Sequence, residues 1–144
     1  MTAYVVGTRK AVTYVDSIEV TDAISNSRID SRESESDFVS YADAAAGGAR
    51  EYVHGFTLRQ DVAADSLHDY IWSQTGTDVE IVFWPNGEPV GSTPTVSQPS
   101  YTGTATITEP DGTLVGGEAN KSNTAVQTNE VEWVYTAKPT KATA

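Results

Sequence analysis

The sequence predicts a mainly β domain of six or seven strands, with one helix and a long projecting loop. Three observations carry this. The 144 residues include 19 Thr and 13 Ser, and β-branched Thr suits a pleated, half-exposed surface. Apolar and polar residues alternate over several short segments, the period of a half-buried strand. Only one segment carries the 3.6-residue stripe of a helix lying on a core. At 15.4 kDa the chain has the size of one domain.

The elements follow in order. Residues 2–10 lack a turn signal and read as an arm. Ala11 to Ile24 alternates, with Val12, Tyr14, Ile18, Val20 and Ile24 on one face and Thr13, Val15, Ser17, Glu19 and Thr21 on the other. That is a strand, bulged or extended where Asp16 and Asp22 interrupt the apolar face. Ser25 to Asp37 holds five Ser, two Arg and four acids, and Ile29 is its only aliphatic residue. Such a composition buries too little area to offset ordering entropy alone. Phe38, Val39 and Tyr41 bring apolar side chains back, before an Ala- and Gly-rich run to Ala49. Residues 25–50 therefore read as a long loop, or a hairpin projecting from the body.

Glu51 to Arg59 is a second strand, with Tyr52, Phe56 and Leu58 facing in around His54. Asp61 is a plausible N-cap for a helix over residues 61–75, whose stripe is Ala63, Leu67, Tyr70, Ile71 and Gln74. Gly76 stands where a left-handed residue ends a helix. Asp78 to Trp84 is a strand, and Pro85-Asn86-Gly87 turns the chain. Residues 88–100 are a loop with three Pro. Tyr101 to Thr108 alternates without a fault, setting Tyr101, Gly103, Ala105 and Ile107 against Thr102, Thr104, Thr106 and Thr108. After the Glu109–Gly112 turn come a short strand at Thr113–Val115 and a polar loop over 116–123. The last strand is Thr128–Thr136, with Val131, Trp133 and Tyr135 on one side and Glu130 and Glu132 on the other. Residues 137–144 are a tail.

Little of this offers chemistry. The chain has no Cys, which removes disulfide scaffolds, thiolate metal sites and cysteine nucleophiles. Its two His, His54 and His68, fall inside regular elements and read as structural, and no G-x-S-x-G is present. With 20 acids a carboxylate pair is unavoidable and points to no hydrolase. The run Asp30 to Asp37 alternates oxygen ligands in the manner of a Ca²⁺ loop, but it lacks the Gly and spacing of an EF-hand and reads as a solvated charged loop. Gly116-Gly117-Glu118 has no following Lys and opens no helix, so it is not a phosphate loop. No cofactor is expected, no window has the roughly 20 apolar residues of a membrane helix, and the first ten residues show no signal-peptide core. Of the three tryptophans, Trp133 reads as core and Trp72 as the edge of the helix stripe. Trp84 has outward parity and is the candidate for an interface. The formal net charge is -11, and no Lys or Arg occurs from Gln60 to Asn120 among nine acids. That speaks against binding nucleic acid by phosphate neutralisation. It fits a surface that must stay slippery toward a polyanion.

Taken in order, these segments resemble the tail tube protein, the major tail protein, of long-tailed bacteriophages. The likeness rests on the long N-terminal strand, the polar hairpin, the helix, and a β-rich half ending in Val131-Glu132-Trp133-Val134-Tyr135. The run Tyr101-Thr-Gly-Thr-Ala-Thr-Ile-Thr-Glu-Pro-Asp-Gly-Thr-Leu-Val-Gly-Gly-Glu-Ala and the late Lys138-Pro139 are similar in style to tube proteins of phages of actinobacteria. The resemblance implies a β-sandwich or barrel with a flanking helix, in a virion protein assembled in the host cytoplasm. Copies would close into hexameric rings, and rings would stack through long loops and arms into a tube. Its partners would be its own copies, the tape-measure protein, and tail-terminator or distal tail proteins. DNA would pass in transit without tight binding, repelled by a negative bore. It implies no enzyme activity and no membrane.

By parity the expected bore residues are Glu19, Glu51, Glu80, Thr102, Thr104 and Thr106. The expected contacts between rings are Arg28, Ile29, Arg32, Phe38, Val39 and Tyr41. A head–tail joining or decoration protein, and a carbohydrate-binding β-sandwich using Trp84, are the alternatives. An acid-based hydrolase is remote from both.

Overall fold

The computed structural model describes residues 5–33, 38, 40–45, 50–119, 121–122 and 125–143. Eight strands form two antiparallel sheets around one core, a β-sandwich with a flanking helix, as expected. The five-stranded sheet has the order β2-β1-β5-β6-β8 and the three-stranded sheet the order β3-β4-β7.

The first strand predicted from the alternation is two strands. β1 (Val12–Val15) and β2 (Ile18–Glu19) meet across Asp16 and Ser17, both at positive φ. A type I′ hairpin turn requires this at both central residues. The turn reverses the expected parity: Thr13 and Val15 are buried, while Val12 and Tyr14 face outward and Ile18 is exposed. The polar stretch read as a loop is β3 (Ile24–Glu33), paired with β4 (Arg50–Arg59) in a long hairpin. The β4 partner supplies the apolar surface that β3 lacks, and Ile29 packs against the core. A five-residue helix, α1 (Tyr41–Ala45), lies in the connection between them.

Helix α2 (Leu67–Gln74) is shorter than predicted. Its N-cap is Ser66, which accepts from the Asp69 N–H at 3.1 Å, rather than Asp61. Leu67 and Ile71 from its stripe are buried. Gly76 does take a left-handed φ, and its N–H reaches the Ile107 carbonyl at 2.8 Å. β5 (Asp78–Trp84) and β6 (Ser100–Thr106) keep the predicted alternation as far as Phe83. Thr113–Val115 is not a strand. Its carbonyls instead serve side chains: Thr113 accepts from Asn129 and Leu114 meets His68. β7 (Thr128–Val134) closes the small sheet. Part of the expected tail is β8 (Thr140–Ala142), paired with β6.

The core lies between Phe56, Leu58, Val131 and Trp133 of the small sheet and Val15, Val79, Ile81 and Ala105 of the large one. Phe56 meets Trp133 edge-on at 5.1 Å. β4 runs toward α2 and β5 runs away from it. The helix therefore closes one end of the sandwich, near Leu58 and Val79, and leaves the Tyr52 and Phe83 end for the arm and β8. At Tyr135 the chain crosses between sheets: its N–H bonds Tyr52 and the next N–H bonds Thr104, both at 2.8 Å.

Candidate functional site

Antiparallel partners share a face, so register assigns each predicted bore residue. Tyr14 pairs with Glu19 and Val82, Val82 with Thr102, Glu80 with Thr104, and Asp78 with Thr106. Glu19, Glu80, Thr102, Thr104 and Thr106 therefore share the outer face of the five-stranded sheet. Glu51 does not. It lies on the outer face of the three-stranded sheet, on the far side of the core. The parity rule gave each strand's outward side but not the sheet to which the strand belongs.

The two outer faces differ. The connection after β5 folds back over the large sheet. Glu88 accepts from the Tyr14 hydroxyl and from Ser92, and Asn86 holds the arm through the Gly7 N–H and the Val5 carbonyl. The Glu88 carboxylate pushes the Tyr14 hydroxyl up to about 12, and bonds from Ser92 and Tyr14 hold Glu88 below its ordinary value. Trp84, the predicted interface residue, sits under this cover at 4 % exposure, with Pro85, Gly87, Pro99 and Ser100 also buried. Its outward parity is correct, but a long-range cover makes it interior. The sugar platform that it suggested is therefore absent.

The small sheet's outer face is mostly polar, with Val53 and Gly55 covered at its centre. Arg32 reaches Glu51 at 2.6 Å and Glu132 at 3.1 Å, linking all three strands, and these carboxylates raise its pKa. Arg28 pairs with Asp30 at 3.0 Å and lies over Gly55, where a Cβ would come within 2.8 Å of the guanidinium. Thr57 donates to Glu130 at 2.7 Å. Beside β7 the Thr108–Asp111 segment forms a wall, with Thr108 Oγ1 donating to the Glu132 carbonyl at 2.9 Å. Glu109, Asp111, Glu130 and Glu132 line the recess between wall and sheet, with Arg32 at its far side. One flank of this sheet thus carries two guanidiniums, Arg28 and Arg32 on β3 with Asp30 between them, and the opposite flank is acidic. The outer edge of β3 has no strand partner among the described residues.

Of the residues expected to join rings, Arg28, Ile29 and Arg32 are part of the folded sheet rather than a loose loop. Phe38 and Tyr41 are 76 % and 97 % exposed, and Val39 lies outside the described residues. No cluster of three metal-ligating side chains occurs among the described residues. In the acidic run Asp30 to Asp37, residues 30–33 belong to β3, and 34–37 lie outside the described residues.

One polar chain crosses the core, and no local sequence pattern signals it. Thr13 Oγ1 is 3.0 Å from Ser27 Oγ, Ser27 Oγ 2.9 Å from His54 Nε2, and His54 Nδ1 2.8 Å from the Tyr135 hydroxyl. The Ser27–His54 distance is that of a nucleophile and its base. The third member, however, is a phenol rather than a carboxylate. Burial first, then Arg28, lowers His54 to about 4, leaving it neutral and a weak base. The chain joins β1, β3, β4 and the Tyr135 crossover, and its role is to fasten the sheets.

Above it, the Tyr52 and Phe83 end of the sandwich opens as a cleft of about 570 Å³. Tyr52, Tyr101 and Pro139 wall it, and Arg28, Lys138 and Lys141 rim it. Lys138 Nζ stands 5.9 Å from the Tyr52 ring centre. Compared with models of known protein families, with curated proteins and with solved structures, the chain matches none.

Proposed function

We propose that this chain is a structural subunit of tail-tube type, which assembles with its own copies into rings (hexameric in the family it resembles) around a bore. The observation that supports this best is the pair of contrasting flanks on one sheet. A flank with two guanidiniums on one side and an acidic flank on the other favour a heterologous contact, β3 of one copy against the β7 side of the next. Such contacts close into rings when the rotation allows. The unpartnered β3 edge has the same need, since an exposed edge invites another chain unless covered.

In such a ring the outer face of the small sheet is the better bore wall. The large sheet's face is roofed by its own connection at the Trp84 end, while Glu19, Glu80 and Thr104 stay exposed. The bore residues are then Glu51, Glu130 and Glu132, with Asp30, Glu109 and Asp111 beside them. Glu19, Glu80, Thr102, Thr104 and Thr106 belong to the outside. Six carboxylates against Arg28, Arg32 and Arg59 keep the bore negative. Duplex DNA, with one charge per about 1.7 Å, passes without sticking.

Reversing one flank (Arg28→Glu with Arg32→Glu) or the other (Glu109→Arg with Asp111→Arg) tests the contact. Each variant alone should lose self-association in sedimentation, and the equimolar mixture should regain pairs. Undiminished assembly of either single-flank variant sinks the proposal.

A further inference from the structure

The basic residues of this chain gather toward one end of the sandwich, where Asp30, Glu33 and Glu51 stand among them. The chain has nine Lys and Arg. Arg9 and Lys10 precede β1 at the cleft end, where Val12 pairs with Trp84. Arg28, Lys138 and Lys141 rim the cleft, and Arg32 and Arg50 stand at the same end of the β3–β4 hairpin. Arg59 lies toward α2. The α2 end carries the opposite sign: Asp61, Asp65, Asp69, Asp78 and Glu118. It also carries an apolar knob. Trp72 is 59 % exposed, with Val62 at 72 % and Val115 at 56 %, around a recess that Asp69 borders. His68 fixes this knob by bonding the Leu114 carbonyl at 2.8 Å, which holds the loop bearing Val115 against the helix.

We infer that the cleft between the sheets is the socket for helix α2 of a second copy, with Trp72 entering between Tyr52, Tyr101 and Pro139 while Lys138 and Lys141 meet Asp65 and Asp69. The volume falls in the range of about 300–1,000 Å³ typical of binding sites. Aromatic anchors in pockets ringed by charge are the usual centre of an interface. Knob and socket stand at opposite ends of the sandwich, so the contact is head-to-tail and repeats indefinitely. The inference rests on the ring reading only for its role, which is to join one ring to the next along the tube. The flank contact described above is separate from it.

Two variants test it. The socket variant is Lys138→Glu with Lys141→Glu, and the knob variant is Asp69→Asn with Trp72→Ser. Circular dichroism and the emission of the buried Trp84 and Trp133 confirm that each folds. Each variant alone should show axial association weakened about tenfold or more, the scale expected when interfacial charge pairs are lost. Mixed, they retain one good knob and one good socket. The mixture should give a capped 1:1 complex that does not grow and that weakens as salt is added. In electron micrographs that complex is a doublet of rings if the ring reading holds, and a pair of single chains if it fails. The inference is overturned if either variant stacks as the unmodified protein does, or if the folded variants do not bind each other.

Discussion

The imidazole of His54 and the hydroxyl of Tyr135 lie 2.8 Å apart, 81 residues distant in sequence, at the point where the chain leaves one sheet for the other. His54 is 1 % exposed and Tyr135 5 %, and burial pushes the phenol's pKa up. The bond thus joins two groups that both stay neutral over the working pH range. It ties the crossover to β4 while Ser27 and Thr13 extend the tie to β3 and β1.

Acid should therefore loosen the fold at a defined place. His54 titrates at about 4 when folded and near 6.5 when unfolded. Between those values the unfolded chain binds more protons. The stability is fully present above about pH 6.5 and is lost as pH falls toward 4, by about 3 kcal/mol in total. Urea unfolding at a series of pH values should show this slope, and His54→Gln should lack it. An unchanged slope in His54→Gln would assign the acid sensitivity elsewhere.

Gly103 faces the same tyrosine. A Cβ there would sit 2.8 Å from two Tyr135 ring carbons and 3.4 Å from the Pro139 backbone. The ring is held by His54 and cannot slip, so Gly103→Ala should lose about 1–3 kcal/mol. Gly55→Ala meets only the flexible end of Arg28 and should lose about 1 kcal/mol or less. Equal losses in denaturant melts of the two would contradict this account of the crossover.

Arg32 separates folding from assembly. Its partners are partly exposed, with 24 % and 50 % of the Glu51 and Glu132 side chains open to solvent. Arg32→Ala should change monomer stability by about 1 kcal/mol at most. It should weaken ring formation much more, because it removes half of the β3 flank's positive charge. A melting midpoint that falls sharply while assembly is retained would reverse that assignment.

How far the sequence carried these conclusions depended on whether a residue's fate is local. The alternation of β5, β6 and β7 follows from period two and stands. The fate of Trp84 depends on a connection that returns over it, which no local pattern encodes. β3 was missed because its apolar content is low. Its alternation of Arg28, Asp30 and Arg32 against Ser27, Ile29 and Ser31 was nevertheless a usable strand signal. The two-residue turn at Asp16–Ser17 reversed a parity that was otherwise well drawn. The polar chain through His54 joins four separated segments, and only the folded register brings them together.

The two outer faces make a contrasting pair for function. In virions built from variant subunits, Glu51→Lys with Glu130→Lys should hinder genome passage, while Glu19→Lys with Glu80→Lys should not. Counts of adsorbed particles that fail to empty would give the answer, and the reverse pattern would place the bore on the large sheet.

Electron microscopy of the purified chain, alone and with a tail-assembly initiator, tests the central claim most directly. Closed rings of identical copies, with β3 of each against the β7 side of its neighbour, are the predicted result. A protein that stays a monodisperse monomer at every concentration and with every initiator would contradict it.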